Sequence, residues 1–154
     1  MLRALRPALN ALILATLTAS AFAAEPLPYN ESADARAELK AAIAQAKSQK
    51  KHVLVVFGAN WCKDCRELAR KMAEGTVAQH VAKQYVVTKV DIGNWDRNQD
   101  IAADCGNPSK KGIPAVAVLG ADGKLRKATS AGELASARDM GEAELMAVFE
   151  QLAK

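Results

Sequence analysis

The run "HVLVVF" (His52–Phe57) is the feature that most narrows what this chain can become. Val53 to Phe57 are all apolar, mostly β-branched, and show no polar alternation. A strand sends successive side chains to opposite faces, so such a run must be covered on both sides. That requirement predicts a central strand in a sheet with helices packed front and back. Directly behind it comes "GANWCKDCRELARKM", where the strand hands over to a helical pattern bearing Cys62 and Cys65. Folds of this class place ligands and chemistry at the carboxyl ends of strands. The two cysteines fall at that point.

The remaining pattern supplies the covering layers. Ser32 to Lys50 reads as an amphipathic helix, with Leu39, Ala42, Ile43 and Ala46 on one face and Ser32 as its cap. Asn60 is the expected cap of the cysteine-bearing helix, which should run through Met72 and stop near Gly75. Thr76 with Gln79 forms a capping-box pattern opening another short helix. "YVVTKVD" predicts a second buried strand, and Asp96 to Cys105 a helix ended by Gly106 and Pro108. "PAVAVL", the turn "GADG" and "KLRKAT" predict a β-hairpin. Leu145, Val148, Phe149 and Leu152 mark a last helix. The expected class is α/β, a mixed central β-sheet flanked by helices on both faces.

The beginning of the chain reads as an export signal. Arg3 and Arg6 precede the apolar run "PALNALILATLTASAFA", and no acidic residue appears before Glu25. Small residues at Ala21 and Ala23 place cleavage before Ala24. The rival reading is a permanent anchor, but Asn10, Thr16, Thr18 and Ser20 interrupt the run, and a span needs about 20 mostly apolar residues. The expected organisation is a cleaved signal peptide at 1–23, an extended segment at 24–31 and one domain at 32–154, in a periplasmic protein with no stable membrane insertion after cleavage. Arg3 and Arg6 also contribute two of the net charges in the total of +4. The remaining charges are mixed, and the small cluster "KSQKK" suits a solvated helix end better than nucleic acid.

Cys62 and Cys65 admit three chemistries. A closed zinc site needs four ligands, and only Cys105, His52 and His80 remain, with His52 at the wrong end of its strand. Copper capture by two thiolates needs fewer ligands and stays open as a non-enzymatic alternative. An inert staple across two residues gains little, because the closed loop is so short. Thiol–disulfide exchange has a mechanism. Unpaired N–H groups and the dipole at a helix start favour a thiolate on Cys62 by up to about 2 kcal/mol. Lys63 and Asp64 nearly cancel beside it. Cys65, one turn deeper, can then attack a mixed disulfide formed at Cys62. The residues favour a redox couple with Cys62 as nucleophile and Cys65 as resolving thiol, needing neither metal nor cofactor.

In order, buried "VLVVF", "WCKDC", "VTKVD" and "KGIPAVAVL", followed by a hairpin and a helix, resemble the thioredoxin superfamily from about Leu39 to Leu152. The stretch "ANWCKDCRELARKMAEGTVAQHV" is most similar to the exported thioredoxin-like and DsbD carboxy-terminal-domain group. The resemblance implies the thioredoxin fold, a cis bond before Pro114, and substrate contacts from Trp61, Ile113 and Pro114. It also implies a monomer that exchanges electrons with protein thiols and disulfides and can be fed by a membrane donor. Disulfide reductase or electron relay is the leading activity; oxidase, isomerase and an adaptor domain are the alternatives. Many relatives carry a buried aspartate six residues before the first cysteine, where this chain has Val56. Lys89 matches the lysine that often accompanies that acid and is the candidate for proton-transfer support. Cys105 is an extra thiol, read as a buried free cysteine or a regulatory one.

Overall fold

The computed structural model describes residues 26–154, so the expected signal peptide at 1–23 and the start of the extended segment lie outside the described residues. Ten elements follow one another: α1 (Ala35–Gln49), β1 (His52–Gly58), α2 (Lys63–Lys71), α3 (Gly75–Gln84), β2 (Tyr85–Asp91), α4 (Gln99–Asp104), a 3-10 turn (Pro108–Lys111), β3 (Ala115–Leu119), β4 (Leu125–Ala128) and α5 (Glu142–Leu152). The strands form one four-stranded sheet in the order β2-β1-β3-β4. β1 runs parallel to β2 and antiparallel to β3, and β3 and β4 form the expected hairpin. This is the thioredoxin fold.

The two-sided burial predicted for β1 is present. Val53, Val55 and Phe57 pack with Leu39, Ala42 and Ala46 of α1 and Ile101 of α4. Leu54 and Val56 face the other way, toward Leu68 of α2, Val77 and Val81 of α3, and Leu145 and Phe149 of α5. The strand thus serves two apolar clusters, and its period-2 alternation assigns each side chain to one of them. Burying side chains of this size stabilises the fold by roughly 1.5–3 kcal/mol each.

Several helix boundaries depart from the sequence pattern, each for a local reason. Asp34, not Ser32, caps α1: its side chain accepts from the Ala37 N–H at 3.0 Å, while Ser32 bonds to Asn30. The Thr76–Gln79 box does not cap α3. A carboxylate from elsewhere does the job, since Glu142 Oε1 accepts from Thr76 N–H at 2.7 Å and from its hydroxyl at 2.6 Å. Those bonds hold the Glu142 carboxyl below the usual range. α4 begins only at Gln99, because Asn98, inside the expected helix, has a φ of 51°. Left-handed residues cannot sit inside a right-handed helix. β2 is an edge strand with Val87 37% exposed, so it is not buried on both faces as expected.

The long loop between β4 and α5 is tied down by one lysine. Lys71 Nζ, at the end of α2, donates to the carbonyls of Ala137 (2.9 Å), Arg138 (2.9 Å) and Met140 (2.8 Å). Lys71→Met keeps the aliphatic stem and removes all three donors. Urea unfolding at neutral pH should show a loss of about 2 kcal/mol, the scale of hydrogen bonds to a charged group. An unchanged midpoint would mean that water replaces the ammonium without cost.

Candidate active site

Cys62 and Cys65 are joined in a disulfide, with their Cα atoms 5.2 Å apart. Cys62, not Asn60, is the residue that caps α2. Its backbone is extended at φ −77° and ψ 111°, and its sulfur accepts from the Cys65 N–H at 3.1 Å. The sulfur therefore sits where the helix presents unpaired donors and the positive end of its dipole. Both cysteines are buried, Cys65 completely and Cys62 with 6% of its surface exposed.

A second backbone segment meets the disulfide. The Ile113–Pro114 peptide bond is cis, and the Ile113 carbonyl oxygen lies 3.7 Å from Cys62 Sγ. Ile113 and Pro114 are both buried, so the cis segment backs directly against the disulfide. Trp61 is 53% exposed, and its indole N–H donates to the Gly93 carbonyl at 2.9 Å. The structure thus brings Trp61, Cys62, Ile113 and Pro114 to one rim.

Nearby charges resolve differently from the sequence expectation. Asp64 does not simply cancel Lys63, because its Oδ1 accepts from the backbone and side chain of Arg138 at 3.0 and 3.2 Å. Glu67 is taken up by Arg70 and Lys71, and the Arg70 bond is the main reason its carboxyl lies below the usual range. Lys89 pairs in register with Val56, and desolvation lowers the pKa of its ammonium. Val56 itself packs with Leu68 and Val116, in the cluster that does not hold the cysteines.

Two residues that sequence reasoning misassigned stand directly behind the motif. Asn60 fastens the segment Pro28–Glu31: its Oδ1 accepts from Tyr29 N–H at 3.0 Å, and its Nδ2 donates to Tyr29 O and to Glu31 Oε1, both at 2.8 Å. Tyr29, from the segment expected to be merely extended, is buried in the core cluster that includes both cysteines. The available signal was the amide in "GAN", a side chain able to donate and accept at once, which a cap position alone does not require. Cys105 is a free buried thiol that desolvation, with the charge of Asp104, pushes up to about 11. Among the described residues, no group of three or more His, Cys, Asp or Glu side chains could hold a metal ion.

Comparison with known proteins agrees with this geometry. The family described as thioredoxin-like matches residues 34–121. A disulphide isomerase from Xylella fastidiosa Temecula1 is 43% identical with a TM-score of 0.81, over 85% of this chain and 100% of that one. The C-terminal domain of DsbD from Neisseria meningitidis, in its oxidised form, is 24% identical with a TM-score of 0.55, over 76% of this chain and 95% of that one. Its reduced form gives 23% and 0.52, over 76% and 96%. At those identities the DsbD domains speak for the fold alone. No curated protein matches the chain.

The difference between the sulfurs predicts an order of reaction. With reduced protein near pH 7, iodoacetamide should modify Cys62 first and Cys65 and Cys105 much later. Peptide mass mapping over a time course reads that order directly. Earlier labelling of Cys65 or Cys105 would contradict it.

Proposed function

This chain belongs to the thioredoxin-like family, and on that premise we propose that it is an exported protein-disulfide reductase or electron relay. The coarser activity, thiol–disulfide oxidoreductase, follows from the family together with the Cys62–Cys65 disulfide. One observation supports the finer reading: Cys62 closes the start of α2 with its own sulfur, and Cys65 lies one turn into the helix and fully buried.

In the proposed reaction the Cys62 thiolate attacks a substrate disulfide, forms a mixed disulfide and releases one substrate thiolate. Cys65 then loses its proton and attacks Cys62 Sγ, closing the intramolecular disulfide and releasing the second substrate thiolate. Two electrons pass to the substrate, and a thiol donor must reopen the pair. The Ile113 backbone beside Cys62 supplies a ledge for an extended substrate chain, and Trp61 an apolar contact. The substrate class is protein disulfides, met by a monomer, with a membrane electron donor as the source of reducing equivalents. Export rests on the sequence of residues 1–23, with the mature chain starting near Ala24.

A second reading, disulfide isomerase, is favoured by the relative from Xylella fastidiosa that bears that description. Both activities begin with the same attack by Cys62 and separate at the next step. In reduction Cys65 resolves the mixed disulfide, whereas in isomerisation a substrate thiol does.

Cys65→Ser divides the two. Insulin reduction should fall by at least about 100-fold, as expected when the resolving thiol that completes exchange is removed. Refolding of scrambled ribonuclease would retain a substantial rate only in an isomerase. The couple should lie near the thioredoxin value of about −270 mV, not the DsbA value of about −120 mV, a gap of about 7 kcal/mol. Equilibration with glutathione buffers measures it, and a value above about −150 mV would point to an oxidase instead.

A further inference from the structure

We propose that the Tyr29 hydroxyl is the hydrogen-bond donor that receives the Cys65 thiolate whenever the disulfide opens. The inference rests on the exchange role of the Cys62–Cys65 pair, but not on the direction of net electron flow.

The hydroxyl is buried and has no hydrogen-bond partner in the oxidised protein. Leaving a buried hydroxyl unpaired is costly, so such a group calls for a reason. Its position provides one. A methyl group placed on Gly58 would collide with the Tyr29 hydroxyl and would lie 3.0 Å from Cys65 Sγ. The hydroxyl and the buried sulfur therefore border the same small space, which the missing side chain of Gly58 leaves open. A disulfide sulfur is a weak acceptor. A thiolate in the same place is a strong one, and hydrogen bonds to an ionised partner are roughly twice as strong as neutral ones.

The donor is held in place from outside the strand. Asn60 grips the Tyr29 backbone at N and O, and Arg97 Nη1 donates to the Glu31 carbonyl at 2.6 Å. The segment Pro28–Glu31 is thus fastened at two points, and the phenol enters the core from it. Asp91, opposite Gly58 across the β1–β2 pair, is the charge that reaches the hydroxyl. Burial first, and this carboxylate second, raise the pKa of the phenol, so the proton stays on oxygen and the group acts as a donor.

Several charged groups around the space are committed elsewhere. Arg97 pairs with Asp91 at 3.5 Å, Glu31 accepts from Asn60, and Asp64 of α2 is bound to Arg138. Lys89 lines a cleft beside α2 with Pro28, Lys63 and Arg66, and no hydrogen bond links it to the hydroxyl. Val56 offers no polar group at all. Of the neighbours named, Tyr29 alone presents an unpaired polar atom beside the sulfur.

The step balances without a new reactant. When an external thiolate attacks Cys62 Sγ, the Cys62–Cys65 bond breaks and the electron pair leaves on Cys65 Sγ. The Tyr29 O–H then points to that sulfur and keeps its own proton. In the reverse direction the same bond lowers the pKa of the Cys65 thiol and raises the fraction ready to attack a mixed disulfide.

Stopped-flow mixing of the reduced full-length mature protein with 5,5′-dithiobis(2-nitrobenzoate) tests this. Cys62 displaces the first thionitrobenzoate and Cys65 the second, so the two steps are read separately across pH 5–10. In Tyr29→Phe the apparent pKa of the second phase should rise by about one unit. The tenfold loss of thiolate is partly offset by the greater nucleophilicity of a more basic sulfur, leaving that phase about threefold slower below its pKa. The first phase should stay the same, and the melting temperature of the oxidised protein should not fall, because the lost hydroxyl has no partner there. An unchanged second phase overturns the proposal and leaves the exchange reading intact. Equal slowing of both phases, with a lower melting temperature, overturns it in favour of a packing role. No second phase in the unsubstituted protein would remove the exchange reading and the proposal together.

Discussion

β1 is the member on which the site hangs. Its side chains alternate between two apolar clusters, one closed by α1 and α4 and the other by α2, α3 and α5. Because both faces are sealed, the strand has no freedom to slip by one residue, since that would exchange its two sets of side chains. The end of the strand is thereby fixed, and with it Gly58, the loop Ala59–Trp61 and the first turn of α2. A redox pair on a movable support would lose the distinction between its two sulfurs. Here the support, Val53–Phe57, is almost wholly buried.

That distinction is a matter of depth and field. Cys62 closes the start of α2 with its own sulfur, so the group that must carry charge sits among unpaired backbone donors. Cys65 lies behind it with no access to water, where an unassisted thiolate would be penalised by desolvation. Val56 belongs to the other apolar cluster, and the structure offers a different neighbour. The Tyr29 hydroxyl, carried by a segment outside the sheet, borders the same space as the Cys65 sulfur, a space that the glycine at position 58 leaves open. A neutral donor there would favour the thiolate without adding a second buried charge next to Asp91.

The surrounding polar contacts mostly join segments distant in sequence. Asn60 binds Tyr29, Glu142 caps α3, Lys71 gathers three carbonyls from the loop before α5, and Arg138 takes up Asp64. In each case a side chain satisfies backbone or charge that local structure leaves unpaired. These contacts hold the long loops against the sheet around the disulfide. They also decide which charges remain free near the cysteines.

The sequence alone determined the element order, the class of fold and the pair of cysteines at a strand–helix junction. Those properties are written in local periodicity: an unbroken apolar run for β1, i, i+3, i+4 spacing for α1, and a Gly-rich turn for the β3–β4 hairpin. It also pointed to Trp61, Ile113 and Pro114, through resemblance. It could not place the caps at Asp34, Cys62 and Glu142, nor shorten α4, because several residues near each end could cap equally well. Burial of Tyr29 and the second use of Asn60 were out of reach for a different reason. Each depends on a partner about 30 or more residues away, or on an empty volume such as that at Gly58, and no local pattern records which distant groups will meet. Only the packed tertiary structure decides that, because it is burial that makes an unpaired hydroxyl or amide costly enough to demand a partner.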